Sequence, residues 1–407
     1  MSNTGRILAV AVLAALAWVV APVTEAQPPI RIGASASQTG AYAAPSQDRL
    51  RGYQLCVKHT NDKGGVLGRK LELVFHDDGS DPTAAARLYE RLITHDKADL
   101  VLGPFGSPLV DVVAEVTEKH GLPMLSLAVT TSIFKKGRKF VFTLLPPGEV
   151  YFEGLIDLAA KKGLKTVAII NETNIFSKAV AQGARELAKK RGLQPVFAET
   201  YPEGTTDFSA ILRRLGTLNP DILAAATYFE DAVAITRQMK DLGVNPRMYG
   251  GTVGAALPTF YDTLGRTAEF VYGATPWEPE LVTLRAGGLI PIARQYPEAK
   301  EFVESYRREF SGAEPSFQSA GGYAACQILI EATKRAGSLD GVKIRDRILS
   351  LDQNTVFGAF KVDRAGLQVA HKYLLFQWQD GKKVIVWPEE LAPGKPRFPT
   401  PPWSQRP

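Results

Sequence analysis

The chain has 407 residues, 45% of them hydrophobic and 22% charged, with 36 Gly and 27 Pro. That is ordinary globular composition at a length beyond what one hydrophobic core fills, so two domains are expected. The net charge of +6 comes from Lys and Arg scattered over amphipathic patterns, with no basic block or aromatic-basic alternation, which argues against nucleic acid as a partner.

Residues 1–26 read as an export signal. Arg6 precedes an apolar run over 7–20, and the small residues Thr24 and Ala26 suit cleavage before Gln27. The run is too short for a comfortable membrane span, and no cysteine near the cleavage point offers a site for a lipid anchor. The mature protein is expected to be soluble and periplasmic.

From Ile30 onward β-rich runs alternate with helical ones. The pattern predicts strand 30–34, helix 48–62, strand 70–75, helix 83–96, strand 99–103, helix 108–120 and strand 123–127. Pro146-Pro147-Gly148 interrupts it. A second series follows, with helices 151–162, 178–191, 207–218 and 231–242 alternating with strands 166–170, 194–199, 221–226 and 247–250. The rhythm is lost around 271–277. Helices return at 298–310, 319–335 and 342–351, and strands at 356–362, 373–378 and 383–387. Residues 393–407 are Pro-rich and aperiodic, so a loose tail is expected. Cys56 and Cys326 each sit in an apolar helical pattern and read as buried thiols, because sequence does not supply the geometry of a bridge.

Strand, helix and parallel strand in repeated units predict an α/β protein of two doubly wound parallel-sheet lobes. Ligands bind such sheets outside the carboxyl ends of the strands, and two lobes facing each other enclose a cleft.

The residues offer no enzyme chemistry. Phe105-Gly106-Ser107-Pro108-Leu109 lacks the second glycine of a nucleophile elbow. Gly64-Gly65-Val66-Leu67-Gly68-Arg69-Lys70 has no Ser or Thr after the Lys and runs into a strand, so it reads as a turn. The histidines at 59, 76, 95, 120 and 371 stand singly, without metal-ligand spacing, and His76-Asp77-Asp78 reads as a structural strand end. No cofactor and no metal site are expected.

Gly103-Pro104-Phe105-Gly106-Ser107-Pro108 separates a buried strand from a helix. Ser107 suits the N-cap and Pro108 the first helical position. The free N–H groups and dipole of a helix start favour an anion there.

Four stretches carry a resemblance: "RIGASASQTG", "NDKGGVLGRKLELVFHDDGSDPTAAA", "VLGPFGSP" and "GTTDFSAILRRL". In that order, from about Ile30 to Gly381, they resemble the periplasmic solute-binding proteins of branched-chain amino acid ABC transporters. The resemblance implies a type I periplasmic binding fold, two lobes joined by a three-crossing hinge. Lobe 1 would hold 27–145 and 277–355, and lobe 2 would hold 146–276 and 356–390, followed by a tail at 391–407. It implies a binding protein and not an enzyme, handing a small-molecule ligand to a membrane permease. A ligand-sensing module that signals to a membrane receptor is the alternative.

By the same resemblance, Ser107 and the Ala128-Val129-Thr130 stretch grip the ligand's carboxylate through Ser107, Ala128 and Thr130. Tyr228 supplies an aromatic wall from the other lobe, with Phe105 and Phe176 beside it. Thr252 stands where amino-acid-binding relatives carry an acid for the ligand's ammonium. A hydroxyl cannot neutralise an ammonium in a dry cleft. Either Glu230 or Asp231 replaces that acid, or the ligand is an amine-free aromatic or aliphatic carboxylate; the second option is preferred. A cysteine pair bridged in some relatives is replaced by Ser80 and Gly106, and Tyr42 lies close to, but not at, the place of a further aromatic residue, which Pro45 occupies.

Overall fold

The computed structural model describes residues 27–282, 285–286, 290–291 and 296–406; the expected export signal, residues 1–26, lies outside them. The first half of the chain runs β1 (Ile30–Ser35), α1 (Ala43–Asp62), β2 (Leu71–His76), α2 (Pro82–Thr94) and β3 (Leu100–Leu102). It continues with α3 (Ser107–His120), β4 (Met124–Ser126), α4 (Thr131–Phe134) and β5 (Val141–Thr143). These strands pair in parallel in the order β2-β1-β3-β4-β5. All three residues of β3 are buried, as a parallel strand covered on both faces requires.

The next segment gives α5 (Glu153–Lys161), β6 (Thr166–Glu172), α6 (Ile175–Lys190), β7 (Gln194–Tyr201) and α7 (Ser209–Leu218). After it come β8 (Ile222–Ala226), α8 (Phe229–Asp241), β9 (Met248–Gly251), α9 (Val253–Ala256), α10 (Pro258–Leu264) and β10 (Tyr272–Thr275). A short ribbon, β11 (Arg285–Ala286) and β12 (Ile290–Pro291), precedes α11 (Ala299–Glu309), α12 (Phe317–Ala336) and α13 (Gly341–Ser350). The hairpin β13 (Asp352–Thr355) and β14 (Gly358–Lys361) forms a small sheet of its own, and β15 (Leu374–Gln379) and β16 (Lys382–Trp387) complete the second large sheet. Its order is β16-β15-β10-β9-β8-β6-β7, parallel except for the antiparallel edge β10-β15-β16. Caps start several helices: Asp81 accepts from Ala84 N–H at 2.6 Å before α2, and Asn174 from Ser177 N–H at 2.8 Å before α6.

Helix α12 returns to pack along α1. A Cβ on Gly52 would stand 2.1 Å from the Ser319 carbonyl oxygen, and one on Gly322 would stand 2.6 Å from that of Arg49, so glycines set the close approach of the two helices. One turn further along each helix, Cys56 and Cys326 form a disulfide with Cα atoms 6.2 Å apart. This corrects the reading of two buried thiols. The bridge joins residues 270 positions apart, and only the packing of α1 on α12 brings them together.

Four other expectations are corrected. A strand occupies 272–275, where the rhythm was read as lost, because four buried residues pair with β9 and β15. The expected strand 356–362 is instead a hairpin turn followed by β14. Helix α1 begins at Ala43, five positions before the predicted start. The tail at 391–407 is not loose over its described part, because its polar groups find partners on β15, where Gln377 Oε1 accepts from Arg397 N–H at 2.8 Å, on the chain before β9 and within the tail itself. Thr400 N–H donates to Arg247 O at 3.2 Å, Trp403 Nε1 donates to Val244 O at 2.9 Å, and the Arg406 guanidinium lies 3.4 Å from the Trp403 ring centroid. Among the described residues no helix is long and apolar enough to cross a membrane.

Candidate functional site

The carboxyl end of β3 runs into the turn before α3. Gly106 takes φ 84° and ψ 140°, a conformation costly for any residue with a Cβ, and it is Gly106 that occupies the N-cap position. This corrects Ser107 as the cap: the glycine lets the helix start one residue early, and no side chain caps it. The freed Ser107 hydroxyl accepts from Val129 N–H at 3.4 Å, tying the turn to the loop after β4. An added Cβ on Gly106 would come within 3.5 Å of the Tyr228 hydroxyl, which reaches over from the second half.

The motif His76-Asp77-Asp78 organises the neighbouring loop. Asp78, 1% exposed, accepts from the Ser35 and Ser37 hydroxyls, each at 2.6 Å, and Asp77 accepts from Gln38 N–H at 2.8 Å. Ser80 Oγ accepts from Tyr42 N–H at 3.0 Å, so this network carries Tyr42 to the cleft. His76 itself bonds Asp96 at 2.8 Å.

A small cavity of about 20 Å³, room for about one water molecule, lies between the two sheets. The first half contributes Phe105, Ser107, Leu127, Val129 and Leu145, and α12 adds Phe317 and Gln318. The second half contributes Tyr151, Phe176, Tyr228 and Val253. The rings form a continuous wall across the halves: Phe105 to Tyr228 is 5.8 Å between centroids, Tyr42 to Tyr228 is 4.8 Å, and Phe176 to Tyr228 is 5.0 Å. The hydroxyls of Tyr151 and Tyr228 are buried and have no hydrogen-bond partner among the described residues. A wider depression, about 280 Å³, lies over Cys56, His59, Tyr323 and Lys334, but it is polar and lined by α1, α12, the start of α11 and β13, with nothing from the second sheet.

Arg49 also lines the cavity and is 2% exposed. Its guanidinium lies 5.0 Å from the Phe105 ring centroid. Nη1 donates to Pro104 O at 2.7 Å, and Nε and Nη2 donate to Gln318 Oε1 at 3.2 and 2.6 Å. Both acceptors are neutral. Burial pulls its pKa down, and the titratable groups that act on it are the phenols of Tyr53, Tyr89 and Tyr228. No carboxylate pairs with it among the described residues, although a buried cation ordinarily has a counter-charge.

Acids cluster behind the tyrosines and are not in the cavity lining. The Tyr201 hydroxyl donates to Asp231 Oδ2 at 2.9 Å, and the Tyr42 hydroxyl donates to Glu203 Oε1 at 3.5 Å. Burial, with Asp231 and Glu203 close by, pushes Glu172 up to about 8, and burial pushes Asp231 up to about 6.

Of the residues expected from sequence, the structure gathers Phe105, Ser107, Phe176 and Tyr228 around the cavity. Ala128 and Thr130 are buried on either side of Val129, which lines it; the Thr130 hydroxyl has no partner among the described residues. Thr252 is fully buried and bonded to Thr227, and Glu230 and Asp231 fall in the first turn of α8 outside the lining. Sequence reasoning missed Arg49, Tyr151, Phe317 and Gln318. An arginine in an otherwise apolar helical face, followed by Gly52 and Cys56, is the signal that could have pointed to Arg49.

The sequence profile of the family described as periplasmic binding protein matches residues 29–383. A Leu/Ile/Val-binding protein homolog of Brucella melitensis is 27% identical over 387 residues, covering 91% of this chain and 94% of that protein. The leucine binding protein LivK of Thermotoga maritima superposes with a TM-score of 0.78 at 25% identity, covering 88% of this chain and 97% of that one. An ABC transporter solute binding protein of Rhodopseudomonas palustris, in complex with 3,4-dihydroxybenzoic acid, superposes with a TM-score of 0.75 at 21% identity, covering 87% and 95%.

Proposed function

The chain belongs to the periplasmic binding protein family, in its branched-chain amino acid type, and on that premise we propose that it is the solute-binding component of an ABC importer. These relatives are binding proteins, not enzymes. The proposed ligand is a small carboxylate-bearing molecule, delivered in the periplasm to a membrane permease after removal of residues 1–26. The lobes expected from sequence are 27–145 with 277–355, and 146–276 with 356–390, and we move one bound: residues 356–368 go with the first lobe. The third crossing follows Gln368, since Gly366 O accepts from Thr143 N–H at 3.0 Å and Gln368 Nε2 donates to Leu144 O at 3.2 Å.

One observation carries this reading. Phe105 and Ser107 from one sheet meet Tyr228 and Phe176 from the other around a single apolar cavity with few polar groups, as ligand sites are built. Contacts made by both lobes exist only when the lobes meet, so a ligand shifts the population toward closure. The ligands of the relatives, leucine for one and a dihydroxybenzoic acid for another, span the two classes that sequence left open.

The test is thermal unfolding of the exported protein against neutral amino acids and against amine-free carboxylates. A ligand at about 100 times its Kd adds about 2.7 kcal/mol. Stabilisation by a member of either set supports the binding role, and no shift with any removes it. Loss of uptake of that ligand on deleting the gene supports the importer role; undiminished uptake sinks it in favour of the sensing module.

A further inference from the structure

The cavity contains one buried cation and no exposed anion. Arg49 enters it from α1, held by Pro104 and Gln318, and the close seam of Gly52, Gly322 and the disulfide leaves it little room to swing toward solvent. The hydroxyl of Tyr228, without a partner, points toward Gly106 from the opposite half, within electrostatic reach of the guanidinium. The rest of the wall is ring and aliphatic surface, with Ser107, Gln318 and the Tyr151 hydroxyl as its other polar groups. Among the described residues Arg49 has no counter-charge, and the Tyr151 and Tyr228 hydroxyls have no acceptor. A carboxylate supplies both, accepting from a guanidinium in fork geometry and from a phenol at once.

We propose that Arg49 is the charge-neutralising anchor of this cavity and that the ligand is an amine-free organic acid with an apolar body, admitted when the lobes part, its carboxylate shared between Arg49 and the Tyr228 hydroxyl. This rests on the binding role proposed above and names the ligand class for that same site. An amino acid zwitterion would restore the imbalance, because its ammonium would face rings, while Glu172, Glu203 and Asp231 are not in the lining. The arrangement also links charge recognition to closure, since Arg49 and Tyr228 come from different halves and one carboxylate holds both.

The experiment is calorimetric titration of the full exported protein. The probes are benzoate, 3,4-dihydroxybenzoate, phenylacetate and cyclohexanecarboxylate, the amide of each, and L-leucine, L-isoleucine and L-phenylalanine. At least one acid is expected to bind, its amide at least 100-fold more weakly, and the amino acids more weakly than the acid. Arg49→Gln is expected to weaken the acid at least 100-fold and to narrow the acid-to-amide ratio below 10, with Arg49→Lys intermediate. The wild-type acid-to-amide ratio needs no variant and decides the point even if Arg49→Gln fails to fold. Equal binding of acid and amide, or a folded Arg49→Gln that binds the acid as wild type does, overturns the assignment. Preferential binding of an amino acid overturns it while leaving the binding role standing; no binding by any probe overturns both.

Discussion

The Thr252 hydroxyl is closed onto the backbone of Thr227. It donates to the Thr227 carbonyl at 2.6 Å and accepts from the Thr227 N–H at 2.9 Å, holding the end of β8 beside the end of β9. Both bonds are buried. Thr252→Val leaves that N–H and carbonyl without partners, and is expected to cost about 1–3 kcal/mol in urea unfolding. Ligand affinity in the same variant is expected to stay within about threefold. A large affinity loss with unchanged stability would show that Thr252 faces the ligand.

The disulfide between Cys56 and Cys326 closes a separation of 270 residues and staples α1 to α12 next to Gly52 and Gly322. Replacing both cysteines by serine is expected to lower stability by about 2–5 kcal/mol. The fold of the second sheet does not depend on it, so circular dichroism of the double variant should keep its native form. Stability unchanged under reducing conditions would mean that the helix seam alone carries the contact.

Tyr228 supplies a hydroxyl that no group in the described protein uses. Tyr228→Phe is therefore expected to leave the thermal midpoint unchanged or slightly raised while weakening the preferred acid about 10- to 100-fold, the equivalent of one hydrogen bond to a charged group. Ser107→Ala with Thr130→Ala is expected to weaken every carboxylate ligand. Titration of both variants checks the pair; unchanged affinity in the double variant removes Ser107 and Thr130 from the grip.

Glu172 is raised in the fold to about 8, first by burial and then by Asp231 and Glu203. The folded protein therefore holds this proton more tightly than the unfolded chain, whose carboxyl titrates near its usual 4.5. The associated stability is fully present below pH 4.5 and is lost as pH rises through 8. Glu172→Gln removes that dependence and is expected to be about 1–2 kcal/mol more stable than wild type at pH 9, a figure reduced for solvent screening. Urea midpoints from pH 5 to 9 test this, and parallel curves for the two proteins would refute it.

Much of this protein was written locally. Alternating apolar strands and amphipathic helices gave both parallel sheets, because side-chain periodicity and parallel pairing are short-range consequences of the pattern. The turn at 103–108 was legible as a cleft element, since two glycines and two prolines break an apolar strand just before a helix start, although which residue caps that helix was not. Four of the seven expected site residues meet at the cavity because strand ends and the turns after them converge wherever two such sheets face each other.

Tertiary structure decided the rest, because it depends on which distant surfaces meet. Cys56 could find Cys326, and Arg49 could find Gln318, only once α12 had returned across nearly the whole chain to lie on α1. The tail at 393–406 has no periodicity of its own, and became ordered through partners at Val244, Arg247 and Gln377. The charge of the site is the clearest case. Sequence directed attention to a missing acid at Thr252, whereas packing buried a cation at Arg49 that no carboxylate pairs among the described residues. Burial and pairing of one side chain are set by everything that surrounds it, and no local pattern contains them.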